Sequence, residues 1–293
     1  MTSRSDRPYD IIVFGATSFV GKILCRYLVE RHGTDGDLAW AIAGRNEAKL
    51  AALAKATGAD VVRIVADAGD ADAMAELAES TRLVISTVGP YALYGSKLVA
   101  AVAAAGTDSV DLTGEPQWMQ RMIDTHSATA ETSGARIVHT CGFDSIPSDL
   151  GVWFTQGQAS ARFDEPCTTI AMRVKAMKGG ASGGTIASMI NVVDETKADP
   201  ELRTTLGNPY ALAPEGMRSG PRQPSVMRPT KDPVSGEWVA PFVMAGINTK
   251  VVHRSHALLD RPWGAAFTYD EAMLMGDSPL GAAKAAALVG GLG

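Results

Sequence analysis

The first 140 residues alternate between short apolar runs, rich in β-branched residues, and longer segments whose alanines and leucines recur with helical spacing. The apolar runs predict strands at 10–14, 38–43, 61–65, 82–87, 108–112 and 136–140, and the segments between them predict helices at 19–32, 46–56, 71–79, 95–105 and 116–133. Strands that alternate with helices indicate a parallel sheet covered by crossover helices. We therefore predict an α/β fold, with a doubly wound Rossmann domain over residues 1–150.

After residue 150 this alternation stops. Apolar stretches at 168–177 and 238–246 predict strands around a helix near 184–197, so residues 151–293 are expected to form a second, mixed α/β domain that binds the substrate. Residues 209–241 contain seven prolines and four cationic side chains, which is typical of a long loop or lid. The chain ends in a small, apolar, glycine-rich tail, so we expect the second domain to be C-terminally incomplete.

The composition argues against several classes of partner. Only 20% of the residues are charged and the net charge is −5, so no electrostatic attraction to nucleic acid or to an anionic membrane is expected. The apolar tail is shorter than the ~20 residues that a membrane-spanning helix needs. We predict a cytoplasmic protein without a transmembrane span in this chain, and leave peripheral membrane contact and a homodimer open.

Neither the cysteines nor the histidines suggest a metal site. Cys25, Cys141 and Cys167 are widely spaced without a CxxC motif, which favours a reducing compartment. The histidines are also scattered, at His32, His126, His139, His253 and His256. His253 and His256 are the nearest pair, and we assign them to surface or strand positions rather than to a metal.

The most informative motif joins the first strand to the first helix, with the spacing Gly15-x-x-Ser18-x-x-Gly21. In dinucleotide-binding turns the first glycine allows a tight turn and the last allows the helix to pack on the strand, while the free N–H groups of the helix bind phosphate. Ser18 replaces the middle glycine, but it is small and its hydroxyl can donate to phosphate. The predicted phosphate-binding residues are Gly15, Thr17, Ser18, Phe19, Val20 and Gly21. The alternative is a structural turn that binds no ligand.

The end of the second strand indicates which dinucleotide the loop binds. An NAD site places Asp or Glu there, whereas this strand ends in Gly44 and Arg45. A guanidinium suits the 2′-phosphate of NADP, so we predict NADP, with a solvated arginine at a helix start as the alternative.

Two further strand ends complete the predicted cofactor site. Asp67 follows the third strand, where it either contacts adenine or caps the next helix. Val88, Gly89 and Pro90 follow the fourth strand, beside the expected nicotinamide half, and a purely structural turn is the alternative there.

The candidate catalytic residues are Tyr91, Tyr94, Asp144 and Ser145. Either tyrosine could supply a phenolic proton beside the nicotinamide, and Asp144 or Ser145 could orient the substrate or relay a proton. The competing interpretation of the run CGFDSIPSD is structural: Ser148 or Asp149 caps the next helix and Asp144 holds the turn. Glu115 is a further candidate for the same cleft.

Several stretches together resemble the saccharopine dehydrogenase-like oxidoreductases, and most closely their trans-acting enoyl reductase branch. These stretches are DIIVFGATSFVGK, AIAGR, TVGPYALYG, DLTGE, CGFDSIPSDLG, SGGT and GINTKVVHRSHAL, and they extend over nearly the whole chain. The resemblance implies a Rossmann domain followed by a mixed α/β domain, and an NADP cofactor. In the enoyl reductase branch it also implies reduction of a double bond in a polyketide chain destined for cell-envelope lipids, with a polyketide synthase as partner.

The resemblance also assigns positions in this sequence. The family's nucleotide loop falls on Gly15 to Gly21, its second-strand end on Gly44 and Arg45, and its fourth-strand turn on Val88 to Pro90. The departure is Ser18, where that branch usually has glycine.

The sequence as a whole predicts an NADPH-dependent oxidoreductase, a trans-acting enoyl reductase that acts on a CH–CH group of a polyketide or long acyl lipid intermediate. Two alternatives stay open. The first is a saccharopine-type amino-acid dehydrogenase, which would bind a dicarboxylate through arginines such as Arg173 and Arg254. The second is a non-catalytic NADP-binding, lipid-associated protein.

Overall fold

The computed structural model describes residues 6–177 and 183–290. Ser182 of the SGGT motif and the last three residues of the apolar tail lie outside the described residues. Over the described residues the chain forms two compact units, one within Met1–Gly142 and Ala181–Ala198, the other within Phe143–Gly180 and Asp199–Gly293.

All six strands predicted for the first part of the chain are present. They are β1 (Tyr9–Phe14), β2 (Trp40–Gly44), β3 (Val62–Val65), β4 (Thr81–Ser86), β5 (Asp108–Asp111) and β6 (Ile137–Val138). The helices are α1 (Phe19–His32), α2 (Glu47–Thr57), α3 (Ala71–Glu79), α4 (Tyr91–Tyr94), α5 (Ser96–Ala105) and α6 (Pro116–Ser133). The strands pair in parallel in the order β3-β2-β1-β4-β5-β6, which is the doubly wound Rossmann order.

The centre of the sheet is buried on both faces, whereas the edge strand β3 is mostly exposed. Successive residues of β1 point to opposite sides: Ile12 and Phe14 pack in one apolar cluster, and Val13 packs in another. Every residue of β2 is buried. A strand covered on both faces needs apolar residues throughout, which explains why WAIAG is a continuous apolar run rather than an alternating one.

The chain then passes through α7 (Ile146–Phe163) and β7 (Thr169–Val174) of the second unit before it reaches α8 (Gly183–Ala198). Helix α8 belongs to the first unit, where Ser188 donates a hydrogen bond to Glu115 at 2.9 Å and Glu195 forms an ion pair with Arg121 at 3.4 Å. The first unit therefore includes α8, whereas the domains predicted at 1–150 and 151–293 place this helix in the second domain. Polar side chains attach α8 to the Rossmann unit, and the hydrophobic pattern of the sequence gave no sign of these contacts.

The second unit is a mixed α/β unit, as predicted. Its remaining elements are α9 (Leu202–Gly207), β8 (Thr230–Lys231), β9 (Trp238–Pro241), α10 (Ala245–Leu258), β10 (Thr268–Gly276) and α11 (Pro279–Gly290). The strand order is β7-β10-β9-β8, in which β10 pairs in parallel with β7 and antiparallel with β9. The long loop predicted at 209–241 is shorter than expected: residues 209–229 contain no helix or strand, whereas β8 and β9 lie within the rest of that range.

Two predictions for this unit are wrong. The strand predicted at 238–246 ends at Pro241, and the following residues lead into α10. His253 and His256 lie neither on the surface nor in a strand, because both are buried on α10. The buried residues of this helix include polar ones, Asn248 and Lys250 as well as the two histidines, so its apolar residues do not show a clear helical period. No helix within residues 6–177 and 183–290 combines the length and hydrophobicity needed to cross a membrane.

Candidate functional site

The glycine loop forms a tight turn against the end of β4. Gly15 has φ +81°, and a Cβ atom there would lie 2.7 Å from Val88 Cγ2 and 2.9 Å from Thr87 Oγ1. A Cβ atom on Gly21 would lie 2.5 Å from the Gly15 carbonyl oxygen. Both positions require glycine, the first for the turn and the close approach, the second for helix packing on the strand. The loop thus has the backbone geometry that a pyrophosphate-binding turn needs.

Ser18 is accommodated in this loop as the N-cap of α1. Its Oγ accepts a hydrogen bond from Gly21 N at 2.9 Å and forms a second with Thr87 Oγ1, also at 2.9 Å. The Ser18 hydroxyl is therefore hydrogen-bonded within the protein, and its contact with phosphate stays a prediction. Phe19 and Val20 begin the helix, where backbone N–H groups have no intrahelical acceptor. Such N–H groups, together with the helix dipole, suit an anion.

The end of β2 lies beside the loop, because the N–H groups of Gly15 and Ala16 both donate to the Ala43 carbonyl, at 2.9 and 3.2 Å. Gly44 is buried, and Arg45 is exposed where the chain leaves the sheet. The next residue, Asn46, caps α2 by accepting from Lys49 N at 2.9 Å. Arg45 therefore stands just before the cap, where its side chain is available to a ligand.

Asp67 does not cap the following helix. Its carboxylate accepts from Gly69 N at 2.8 Å, whereas Asp70 caps α3 by accepting from Asp72 N and Ala73 N. That alternative is wrong, because the cap position of α3 is three residues further along the chain. The carboxylate of Asp67 holds a turn at the exposed end of β3, and contact with adenine stays a prediction.

Glu115 fixes the turn that follows β4. This fully buried carboxylate accepts from Tyr91 N at 2.8 Å, from Ala92 N at 3.0 Å and from the Ser188 hydroxyl at 2.9 Å. Pro90, just before α4, has no N–H. Tyr91 and Ala92 are the first two residues of α4, so the carboxylate accepts from the first two backbone N–H groups of that helix. The segment Val88 to Pro90 is thereby held against the glycine loop, which Val88 contacts.

The two candidate tyrosines differ in environment. The Tyr91 hydroxyl donates to the Ser86 carbonyl oxygen at 3.0 Å inside the core, and burial, reinforced by Asp111, raises the pKa of this phenol. Tyr91 therefore serves the packing of the turn. Tyr94 is 42% exposed at the end of α4, so of the two phenols it is the one open to a ligand.

A histidine–aspartate pair that the sequence motifs did not predict lies at the carboxyl ends of β5 and β6. His139 Nδ1 lies 2.6 Å from Asp111 Oδ2, both side chains are only 7% exposed, and the imidazole packs edge-on against Trp118. Asp111 Oδ1 accepts from the N–H groups of Thr113 and Thr140. Within the described chain, His139 Nε2 has no hydrogen-bond partner. The one signal in the sequence is that Asp111 and His139 lie at the ends of neighbouring strands, β5 and β6.

Thr140, the residue after this histidine, has φ +60°. A β-branched residue in the left-handed region is strained, and such strain persists only where the surroundings enforce it. Here the main-chain N–H groups of Thr140 and Cys141 both donate to Asp111, at 3.2 and 2.7 Å. Asp111 therefore fixes both the ring and the backbone of the segment.

Asp144 and Ser145 belong to the second unit. Ser145 is buried and its hydroxyl donates to Asn248 Oδ1 at 2.8 Å, while Asn248 Nδ2 donates to the Asp144 carbonyl and to Glu271 Oε2, each at 2.9 Å. The Asp144 side chain is exposed. The predicted capping by Ser148 or Asp149 is wrong, because α7 begins at Ile146 and both residues lie inside it. Asp149 instead accepts from Ser255 at 3.0 Å on α10.

The six-stranded parallel sheet and its glycine loop define a dinucleotide-binding protein of the Rossmann class. Residues 11–138 match the model of the saccharopine dehydrogenase NADP binding domain. A protein of Mycobacterium tuberculosis strain H37Rv whose name includes the words trans-acting enoyl reductase is 41% identical over 97% of this chain and 69% of its own length. The trans-acting enoyl reductase of Mycobacterium ulcerans is 36% identical over 99% of this chain and 72% of its own length. The saccharopine dehydrogenase (L-Glu forming) of Saccharomyces cerevisiae matches 52% of this chain and 32% of its own at 20% identity, with a TM-score of 0.40.

The chain belongs to the saccharopine dehydrogenase-like oxidoreductases, in the trans-acting enoyl reductase branch. It is thus an oxidoreductase with an NADP-binding domain, as the sequence motifs predicted. The structure brings the predicted cofactor-binding residues of the glycine loop, β2 and β4 together at one edge of one sheet. This edge lies within residues 11–138, which match the NADP binding domain of the family.

Proposed function

We propose that the protein is an NADPH-dependent enoyl reductase, which reduces a carbon–carbon double bond in a polyketide or long acyl intermediate carried by a separate polyketide synthase. The observation that carries the proposal is the glycine loop: Gly15 and Gly21 sit where a Cβ would clash, and Ser18 folds onto the helix as its cap. The relatives named trans-acting enoyl reductases support the reaction, and the word trans-acting supports an acceptor held by another protein.

The dinucleotide would be held by the N–H groups of Phe19 and Val20 at its phosphates and by Arg45 at the 2′-phosphate. Asp67 would lie at the adenine and Val88 to Pro90 at the nicotinamide half. When bound, NADPH supplies a hydride to one carbon of the double bond. The protein must then orient the acceptor and supply one proton to the neighbouring carbon.

Two groups of the first unit are placed to hold that proton. The Tyr94 side chain is 42% exposed. Asp111 lies at Nδ1 of His139, and among the described residues Nε2 of the same ring has no hydrogen-bond partner. An aspartate at Nδ1 fixes the tautomer and the orientation of an imidazole. Both residues follow strands at the edge where doubly wound sheets bind their ligands. Asp144 and Ser145 keep the predicted role of orienting the acceptor, through the hydrogen bonds that position their loop on Asn248.

The second unit supports a saccharopine-type dehydrogenase less well than an enoyl reductase, because the arginines predicted to bind a dicarboxylate have partners within the protein. Arg173 forms ion pairs with Asp232 at 2.8 Å and Asp270 at 2.9 Å, and Arg254 donates to the Leu212 carbonyl at 2.6 Å. Both arginines that the sequence offered for a dicarboxylate are therefore engaged within the protein.

The test is direct. The purified protein is mixed with NADPH and either carrier-bound or CoA-linked 2-enoyl thioesters, and the absorbance of reduced nicotinamide is followed while the saturated product is identified by mass spectrometry. We expect NADPH-dependent formation of the saturated thioester. Tight NADPH binding without turnover of any enoyl thioester would favour a non-catalytic NADP-binding protein instead.

A further inference from the structure

The second unit contains a cavity of about 860 Å³ that the cofactor-binding residues do not line. Its walls come from α9, the proline-rich segment 218–227, the start of α10 and strand β10. This volume lies in the upper part of the range for small-molecule sites, ~300–1,000 Å³. The cavity is therefore large enough for a sizeable organic ligand.

One side chain in its wall is unusual. Lys250 is 4% exposed, and its ammonium donates to the carbonyl oxygens of Leu206 at 2.7 Å and Gly246 at 3.0 Å. Among the described residues no carboxylate pairs with it, and its third N–H has no acceptor. Burial lowers the pKa of Lys250 to about 8. Buried charges are normally paired, so an ammonium that forms no ion pair in a cavity wall indicates a ligand with an electron-rich oxygen.

The two carboxyl groups of the cavity wall do not fill this role. Asp270 forms its ion pair with Arg173. Glu271 accepts from the Tyr269 hydroxyl at 2.5 Å and from Asn248 at 2.9 Å, and burial raises the pKa of this carboxyl. Both are engaged away from Lys250, and Arg222 adds a further cation to the wall.

The rest of the lining is mainly apolar. Its apolar members include Leu206, Pro221, Val226, Phe242 and Ala245. Gln223 fastens the proline-rich segment to the sheet, because its Oε1 accepts from Tyr269 N at 2.9 Å, and the Tyr210 hydroxyl donates to the Pro221 carbonyl at 2.7 Å. The predicted loop or lid thus serves as a fixed apolar wall.

We propose that this cavity binds an acyl chain and that Lys250 is the specificity-determining residue, donating a hydrogen bond to the carbonyl or carboxylate oxygen at the end of the chain. The choice of an acyl ligand rests on the proposed function. Three structural observations do not depend on the proposed function. They are the cavity, the Lys250 ammonium without an ion pair and the apolar wall.

The experiment compares three probes with the same ten-carbon chain: decanoate, the decanoyl thioester of N-acetylcysteamine, and decyltrimethylammonium. Binding is measured by calorimetry on the full chain, below the concentration at which each probe forms micelles. We expect the carboxylate and the thioester to bind and the ammonium to bind much more weakly. A hydrogen bond to a charged donor is lost in Lys250→Met, so Kd for the first two probes should rise ~10- to 100-fold.

Two variants control the test. Lys284→Met removes an exposed lysine on α11 and should leave every Kd unchanged. Ala245→Leu fills the cavity without touching the ammonium and should weaken both oxygen-headed probes, which keeps the proposal testable should Lys250→Met fail to fold. Equal affinity of Lys250→Met and the wild type, or tight binding of the ammonium probe, would overturn the proposal. The proposal would also be overturned if the wild-type protein bound NADPH and reduced enoyl thioesters but bound none of these three probes.

Discussion

Ser18 shows how one side chain can replace a glycine in a nucleotide loop. Its hydroxyl turns back to Gly21 N and Thr87 Oγ1. A glycine at this position would let the backbone lie closer to a ligand, whereas the serine caps α1. The shape of the loop is the same in either case.

Removing this cap should destabilise the first unit. Loss of a serine N-cap typically costs about 1 kcal/mol, whereas glycine at the same position costs only a few tenths. We expect Ser18→Ala to lower the free energy of unfolding by about 1 kcal/mol in urea denaturation, and Ser18→Gly to lower it much less. Equal losses in the two variants would show that the hydroxyl does not act as a cap.

Arg45 should determine the preference between the two dinucleotides. It is exposed just before the cap of α2 and could bind the 2′-phosphate that only NADPH carries. Because such a contact is worth ~1.5–3 kcal/mol, Arg45→Gln should raise Kd for NADPH ~10- to 100-fold and leave Kd for NADH unchanged. Arg26→Gln, on the exposed side of α1, is the matched control. An unchanged ratio of the two constants in Arg45→Gln would refute the assignment.

At the scale of elements, Glu115 joins three parts of the first unit. The carboxylate lies at the start of α6, caps α4 and accepts from Ser188 on α8. Position 115 follows β5 directly, so the sequence could place it near the site but could not reveal its partners. The side chain positions the β4 turn, and nothing requires it to contact a substrate.

Glu115→Gln tests this positioning role. An amide would direct an N–H group towards one of the three donors, leaving a buried donor without an acceptor. We expect the free energy of unfolding to fall by about 2 kcal/mol. Glu131→Gln, at an exposed position of α6, should leave it unchanged. If NADPH affinity falls in Glu115→Gln while the unfolding free energy stays constant, the carboxylate acts on the cofactor rather than on the turn.

At the scale of the whole molecule, stability depends on buried titratable groups as well as on apolar burial. His253 on α10 packs against Tyr210 and Phe267, and burial, reinforced by the nearby His256, lowers its pKa to about 4. In the unfolded chain the pKa is about 6.5. The unfolded state therefore binds the proton first, so the stabilisation present above pH ~6.5 is lost as the pH falls towards 4.

This linkage predicts acid sensitivity that one substitution should reduce. This difference between the pKa values of His253 in the two states corresponds to a loss of about 3 kcal/mol of unfolding free energy between pH ~6.5 and pH ~4. We expect His253→Leu to flatten the fall in unfolding free energy between neutral pH and pH ~4, while His32→Leu, at an exposed position, keeps the wild-type slope. An identical slope in His253→Leu would mean that the imidazole has the same pKa in the folded and the unfolded protein, which would contradict this prediction.

The two units differ in how much the sequence revealed. Period and composition predicted all six strands of the first sheet, because the central strands β1 and β2 are apolar runs and because the strands alternate with segments of helical spacing. They did not predict α10, because its buried residues include Asn248, Lys250 and His253 as well as apolar ones. Position along the chain likewise could not assign α8 to the first unit.

By itself, the sequence determined the order of strands and helices in the first unit, the glycine turn and the arginine after β2, because each depends on residues close together in the chain. Only the tertiary structure decided which polar groups meet. Asp111 with His139, Glu115 with Ser188, and Lys250 beside an apolar wall each join residues far apart in sequence. Such contacts arise from packing of whole elements, and no local pattern of residues encodes them.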